Sequence, residues 1–237
     1  MMRVLIFVAH PDDEVLGMGG TILKYSQNGD FVKVVYLATG ITSRRSTNFE
    51  NNASYKQNKD EIKIIQKEIK DLRNDAKKSC NILKVKNLEF YDFPDNEMDS
   101  VPLLKIVKVI EKEIKMTKPD IVYTHHSHDL NIDHRTVFNA VLTATRPVGT
   151  NVKEIISFEI PSSTEWNYPL QFNPNYFVNI ELQLSAKIKA MKAYENEIRD
   201  FPHPRSAKNL ENVASRWGSV SGTISAEAFE IIRKIEY

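Results

Sequence analysis

Cysteine is nearly absent: Cys80 stands alone in 237 residues, which rules out an intrachain disulfide and a cysteine-caged zinc. No apolar run approaches the roughly 20 residues that a membrane-spanning helix needs. The apolar stretch at 4–9 is too short, and too quickly followed by acidic residues, to read as a secretion signal. Neither sign of charge prevails, since 32 Lys+Arg against 31 Asp+Glu leave a formal net charge of +1. That balance lacks the basic footprint of a nucleic-acid binder or a polybasic membrane anchor. The lysines are interleaved with glutamates, as on solvated helix faces. Repeats, low-complexity tracts and linkers are missing too, and the length suffices for a substantial core. These absences predict one domain over 1–237 and a cytoplasmic enzyme, and nothing in the totals opposes a homo-oligomer.

What is present begins at once. Val4-Leu-Ile-Phe-Val-Ala9 reads as a strand buried on both faces. Pro11 cannot continue a ladder, so the strand should stop at His10. His10, Asp12, Asp13 and Glu14 then sit just beyond its carboxyl end, the edge of open α/β sheets where ligands bind. Glu14 reads as a helix-start carboxylate serving backbone donors. Gly17, Gly19 and Gly20 do not complete a dinucleotide fingerprint. They read instead as small residues that let the following helix pack closely, with Gly29 as its cap.

Further strands are predicted at 31–38, 88–91 and 121–125, separated by amphipathic helices at 55–83 and 101–116. This β-α-β-α-β-α-β order argues for a parallel sheet with helices on its faces. Strands at 154–160, 176–180 and 229–232 follow, with helices at 184–197 and near Trp217. Directly after the fourth strand comes His125-His-Ser-His128-Asp129-Leu-Asn131-Ile-Asp133-His134-Arg135, then a helix over 133–145. If the strands are parallel, both polar clusters emerge on one edge. His10 with Asp12 or Asp13, joined by one histidine of the second cluster, makes a donor set with an open fourth position. A metal there lowers the pKa of bound water from about 15.7 to about 7, and a second carboxylate can take that water's proton.

The stretches Ala9-His10-Pro11-Asp12-Asp13-Glu14, Leu16-Gly17-x-Gly19-Gly20 and Asp129-Leu-Asn-Ile-Asp133-His134-Arg135 resemble the LmbE-like (PIG-L) deacetylase family. The stretches 160–166 and 201–206 resemble one branch of it. The resemblance implies a Rossmann-like, mostly parallel sheet with helices on both faces. It also implies a zinc-dependent enzyme, with Fe2+ or Co2+ as substitutes, that removes the N-acetyl group of N-acetylglucosamine-type amino sugars, free or in glycoconjugates. By position, His10, Asp13 and His134 become the metal ligands, Asp12 the general base and Asp133 a carboxylate orienting a histidine. Arg44 and Asp95 fall where relatives hold sugar hydroxyls or attached groups. The sequence departs from the family at Asn131, where many members carry a histidine that polarises the carbonyl or protonates the amine. That role is vacant, or passes to Asn131, to His128 behind the ligands, or to His203 in the proline-framed turn, with Arg205 beside it for an anionic group. Two other readings stand against deacetylation: a metallohydrolase of another bond, such as a phosphoester, and a non-catalytic sugar or nucleotide binder.

Overall fold

The computed structural model describes residues 1–44 and 59–236. Its elements, in chain order, are β1 (Arg3–Val8), α1 (Asp13–Gln27), β2 (Phe31–Ala38), α2 (Lys59–Ile82), β3 (Asn87–Phe93), α3 (Leu103–Thr117), β4 (Ile121–His125) and α4 (Ile132–Ala144). They continue with β5 (Glu154–Phe158), β6 (Tyr176–Asn179), α5 (Leu184–Met191), α6 (Ala207–Ser221) and β7 (Ala226–Lys234). The seven strands form one sheet in the order β3-β2-β1-β4-β5-β7-β6. β3, β2, β1, β4 and β5 run parallel, and β7 and β6 close the sheet antiparallel. The sheet is the expected α/β arrangement, with an antiparallel edge supplied by the last third of the chain.

Alternation along β1 explains why it is apolar throughout. Val4, Ile6 and Val8 pack into a core shared with α1 and α2, while Leu5, Phe7 and Ala9 pack against α3 and α4. The ladder ends at Val8 rather than His10, because the next N–H, that of Ala9, donates to His125 Nε2 at 2.8 Å. β1 and β4 are neighbours, and connections leave them toward opposite ends of the sheet. This is the switch point where the crevice of such folds opens.

α1 starts at Asp13, ahead of its glycines, and breaks at Met18, whose φ of −149° and ψ of 25° are not helical. The glycines are required by close packing. A Cβ on Gly17 would lie 2.4 Å from the Phe158 ring, and one on Gly20 2.8 Å from Ile180. The break frees backbone groups, and a buried ion pair takes them up. Glu227 accepts the N–H groups of Gly20 (2.9 Å) and Thr21 (2.7 Å). Lys187 Nζ donates to Leu16 O (3.0 Å) and Glu227 Oε1 (2.6 Å). Removing one partner of a buried pair strands the other's charge, so Lys187→Met should cost about 3 kcal/mol in urea unfolding. An unchanged unfolding midpoint would show that the pair does not hold the kink.

α5 is shorter than the expected 184–197, ending at Met191. Beyond it, tight turns bring Tyr194 and Glu197 into the interior. No helix among the described residues is long and apolar enough to cross a membrane.

Candidate metal centre and active site

The loops after β1 and β4 meet at a cavity of about 170 Å3, walled in part by His10, Asp12, Asp13, Asp95, Asn131 and His134. A larger groove of about 1010 Å3 lies at the opposite edge of the sheet, by Lys115, Lys118 and Arg146, but no histidine lines it. At the centre is Asp13 Oδ2, which lies 3.4 Å from His10 Nδ1 and 3.3 Å from His134 Nε2. One donor atom from each of the three residues falls within 4.8 Å of the others. His134 Nε2 is buried and makes no hydrogen bond.

The surroundings fit a cation. Burial lowers the pKa of His134, but Asp13 and Asp129 outweigh it and push it up to about 9. The carboxylates that retain a proton there equally favour a divalent ion in its place. Burial opposes ionisation of Asp13 as well, yet His134 and His125 beside it hold its pKa well below the usual range. Two imidazole nitrogens and one carboxylate form the donor set of an open catalytic site.

Both histidines are held from behind. Asp133 sits in the first turn of α4, where Asn131 caps the helix by accepting its N–H at 2.8 Å. Asp133 Oδ2 meets His10 Nε2 at 3.0 Å and accepts the N–H of Asn96, while Oδ1 accepts that of Met98. Asp95 Oδ1 reaches the same His10 nitrogen at 3.0 Å. The remaining oxygen of Asp95 takes both the N–H and the hydroxyl of Ser43. Burial raises the Asp95 pKa, but His10 and Ser43 bring it down to about 2. Asp95 lines the cavity, as its expected place near substrate requires, and its oxygens also meet His10 and Ser43.

His128 reads from sequence as a residue behind the ligands. It is exposed instead, with its Nδ1 paired to the Ser127 hydroxyl. The group behind His134 is Asp129, whose Oδ1 lies 3.1 Å from His134 Nδ1. Asp129 is itself fixed by Ser163, by Thr164 and by the N–H of Asn131. The ring of His125 stacks on that of His134, with centroids 3.9 Å apart and planes within 4°. The sequence pattern alone assigns neither role. An aspartate two residues before Asn131, placed for an Asx turn, is the signal that points to Asp129.

His203 does not line the cavity. Its Nδ1 accepts the Arg205 N–H at 3.1 Å, so the side chain that this turn delivers to the site is that of Arg205. Arg44 ends a short 3-10 turn, Thr42–Arg44, and its side chain lies outside the described residues, as does Arg45. Asn131 lines the cavity, and its Nδ2 donates to Asn96 Oδ1 at 2.8 Å.

Asp12 precedes α1 with φ 107°, ψ −26° and makes no capping bond to the helix. Burial, reinforced by Asp13, Glu197 and Glu14 and opposed by Arg205, holds its carboxyl well above the usual range. Beneath it Glu14 is fully buried. Glu14 accepts the Tyr194 hydroxyl (2.6 Å), the Ser79 hydroxyl (3.4 Å) and the Asp12 N–H (3.2 Å). Burial raises its pKa from an ordinary 4.5 to about 7 against the Tyr194 bond.

A carboxyl with a raised folded value favours the folded state when protonated, so stability falls as pH rises from 4.5 through about 7. In chelator-treated protein, Glu14→Gln should therefore gain stability over the parent across that window, by up to roughly 3 kcal/mol, and then level off. Urea midpoints at pH 5 and pH 8 measure this. A difference that does not vary with pH would contradict it.

The comparisons extend across the chain. A diacetylchitobiose deacetylase from Thermococcus kodakarensis is 29% identical over 97% of this chain and 83% of its own length. The solved N,N'-diacetylchitobiose deacetylase of Pyrococcus horikoshii superposes with a TM-score of 0.72 at 23% identity, covering 98% of this chain and 84% of that one. The 4-carboxy-2-hydroxymuconate hydratase GalB of Pseudomonas putida superposes at 0.74 with 19% identity, over 100% and 98% of the two chains. The fold is therefore shared by enzymes of different chemistry. The GlcNAc-PI de-N-acetylase (PIG-L) family model matches residues 5–145, the segment holding both polar loops, and the chain belongs to that family.

Proposed function

We propose that this protein is a metal-dependent N-deacetylase that hydrolyses the acetamido group of an N-acetylglucosamine-type sugar, yielding acetate and the free amine. The observation that carries the reading is the convergence of His10, Asp13 and the buried His134 Nε2, which makes no hydrogen bond, with a further buried carboxylate, Asp12, in one cavity. His10, Asp13 and His134 would hold the ion, with zinc preferred and Fe2+ or Co2+ able to fill the same donors. When bound, that ion supplies Lewis acidity to the attacking water and the acetyl carbonyl.

The chain's own groups do the rest. Asp12 takes a proton from the water as the C–O bond forms, and returns it to the nitrogen as the C–N bond breaks. Asp133 and Asp95 keep the His10 ring turned so that Nδ1 faces Asp13. Asp129 and His125 do the same for His134. The cavity is smaller than a pocket that swallows a whole ligand. That size suits an acetamido group entering while the remainder of the sugar stays at the mouth. Trp166 and Tyr168, 44% and 83% exposed, follow the cavity-lining Ser163 on the same loop and offer faces for that remainder.

The test is product analysis with N-acetylglucosamine, diacetylchitobiose, and nucleotide- and lipid-linked N-acetylhexosamines. Acetate and free amine should appear in equal amounts from at least one, and cease on chelation. Release of phosphate, or hydration of an unsaturated acid without acetate, would overturn the assignment.

A further inference from the structure

The inference here concerns Arg205 and rests on the reading of Asp12 as general base. An aspartate immediately before a helix ordinarily turns its carboxylate back onto the free N–H groups of the first turn. Asp12 stands in that position, but its left-handed backbone, φ 107° and ψ −26°, is not the extended one of a capping residue, and it makes no such bond. Its Oδ2 instead receives Arg205 Nη1 at 3.1 Å, from a residue 193 positions away. The same Nη1 donates to Glu197 Oε2 at 2.9 Å, and Arg205 Nε donates to Ser162 Oγ at 2.8 Å. Ser162 is fixed in turn, its N–H donating to Glu165 at 2.8 Å. The guanidinium is thus held from three separate loops. Glu197 and Asp12 are both buried.

We propose that Arg205, anchored by Glu197 and Ser162, is a positioning residue that fixes the Asp12 carboxylate in the cavity. With Oδ2 tied, no hydrogen bond from the described residues reaches Oδ1, which is left for the reacting proton. Lysine cannot replace this group in full, because a single ammonium does not reproduce the guanidinium's fixed fork of donors. Without the guanidinium, the Asp12 carboxylate loses the bond that fixes its Oδ2 in the cavity and can turn away, which withdraws the base while leaving the ligands and the mouth of the cavity intact.

The test is a double-mutant cycle on metal-loaded enzyme, read as kcat, KM and metal content. Arg205→Ala should lower kcat at least tenfold with KM and metal content little changed, and Arg205→Lys should recover part of the loss. Arg205→Ala combined with Asp12→Asn should be no slower than Asp12→Asn alone, since the clamp then has nothing to position. Losses that multiply in the double variant would overturn the proposal, as would a loss confined to KM or wild-type turnover in Arg205→Ala. If Arg205→Ala does not fold, Arg205→Lys and Glu197→Gln complete the same cycle with the same criteria. Wild-type turnover in Asp12→Asn is a separate outcome that removes the general-base reading itself. A rate loss in Arg205→Ala alongside it would then assign Arg205 to something other than Asp12.

Discussion

Asp12→Asn is expected to retain the metal and lose about 10²- to 10⁴-fold in kcat, the contribution of a positioned general acid–base. Asparagine is the isostere to use, because the position demands a positive φ of 107° and asparagine tolerates positive φ better than most non-glycine residues. Its Oδ1 can still accept from Arg205, so the clamp and loop should persist. What it cannot do is accept a proton from water and pass it to the amine. Metal content by elemental analysis and kcat from acetate release measure the two parts separately. An empty site in Asp12→Asn, with Asp13→Asn still loaded, would exchange the roles of the two aspartates.

His134→Ala is expected to release the metal and take activity below detection while the protein still folds. The ring is buried between Asp13 and Asp129 and stacked on His125, so some loss of melting temperature accompanies the change. The fold should survive, because the strands of the sheet and both main clusters of the core are formed without this side chain. Asp13 and His10 alone give two donors, too few for a stable site of this kind. Full metal occupancy in folded His134→Ala would remove the residue from the centre.

The parts of this architecture that rest on local patterning were legible in the sequence. The unbroken apolar run of β1, the proline behind it and the alternation of strands with amphipathic helices specify a parallel sheet and place both polar loops at one edge. What escaped depends on partners distant in sequence. The break in α1 follows from Phe158, Ile180, Lys187 and Glu227, none of which is near Met18 in the chain. Asp95 reads by resemblance as a substrate-side acid, and its contacts with Ser43 and His10 emerge only when β3 is laid beside β2. The turn at 201–206 was legible as rigid, but which of its side chains faces the cavity was not. The structure turns Arg205 inward and leaves His203 to accept a backbone N–H. The shortening of α5 has the same origin, since Tyr194 leaves the helix to bury its hydroxyl against Glu14.

The two nitrogens of His10 face two different acidic sets, so the position of the ion discriminates between them. Nδ1 faces Asp13 and His134, whereas Nε2 faces Asp95 and Asp133. Anomalous diffraction at the absorption edge of the bound metal, from crystals of the loaded protein, locates the ion. The account predicts one ion ligated by His10 Nδ1, Asp13 and His134 Nε2, with Asp12 beside it and not coordinating. An ion on His10 Nε2 with Asp95 and Asp133 would contradict it.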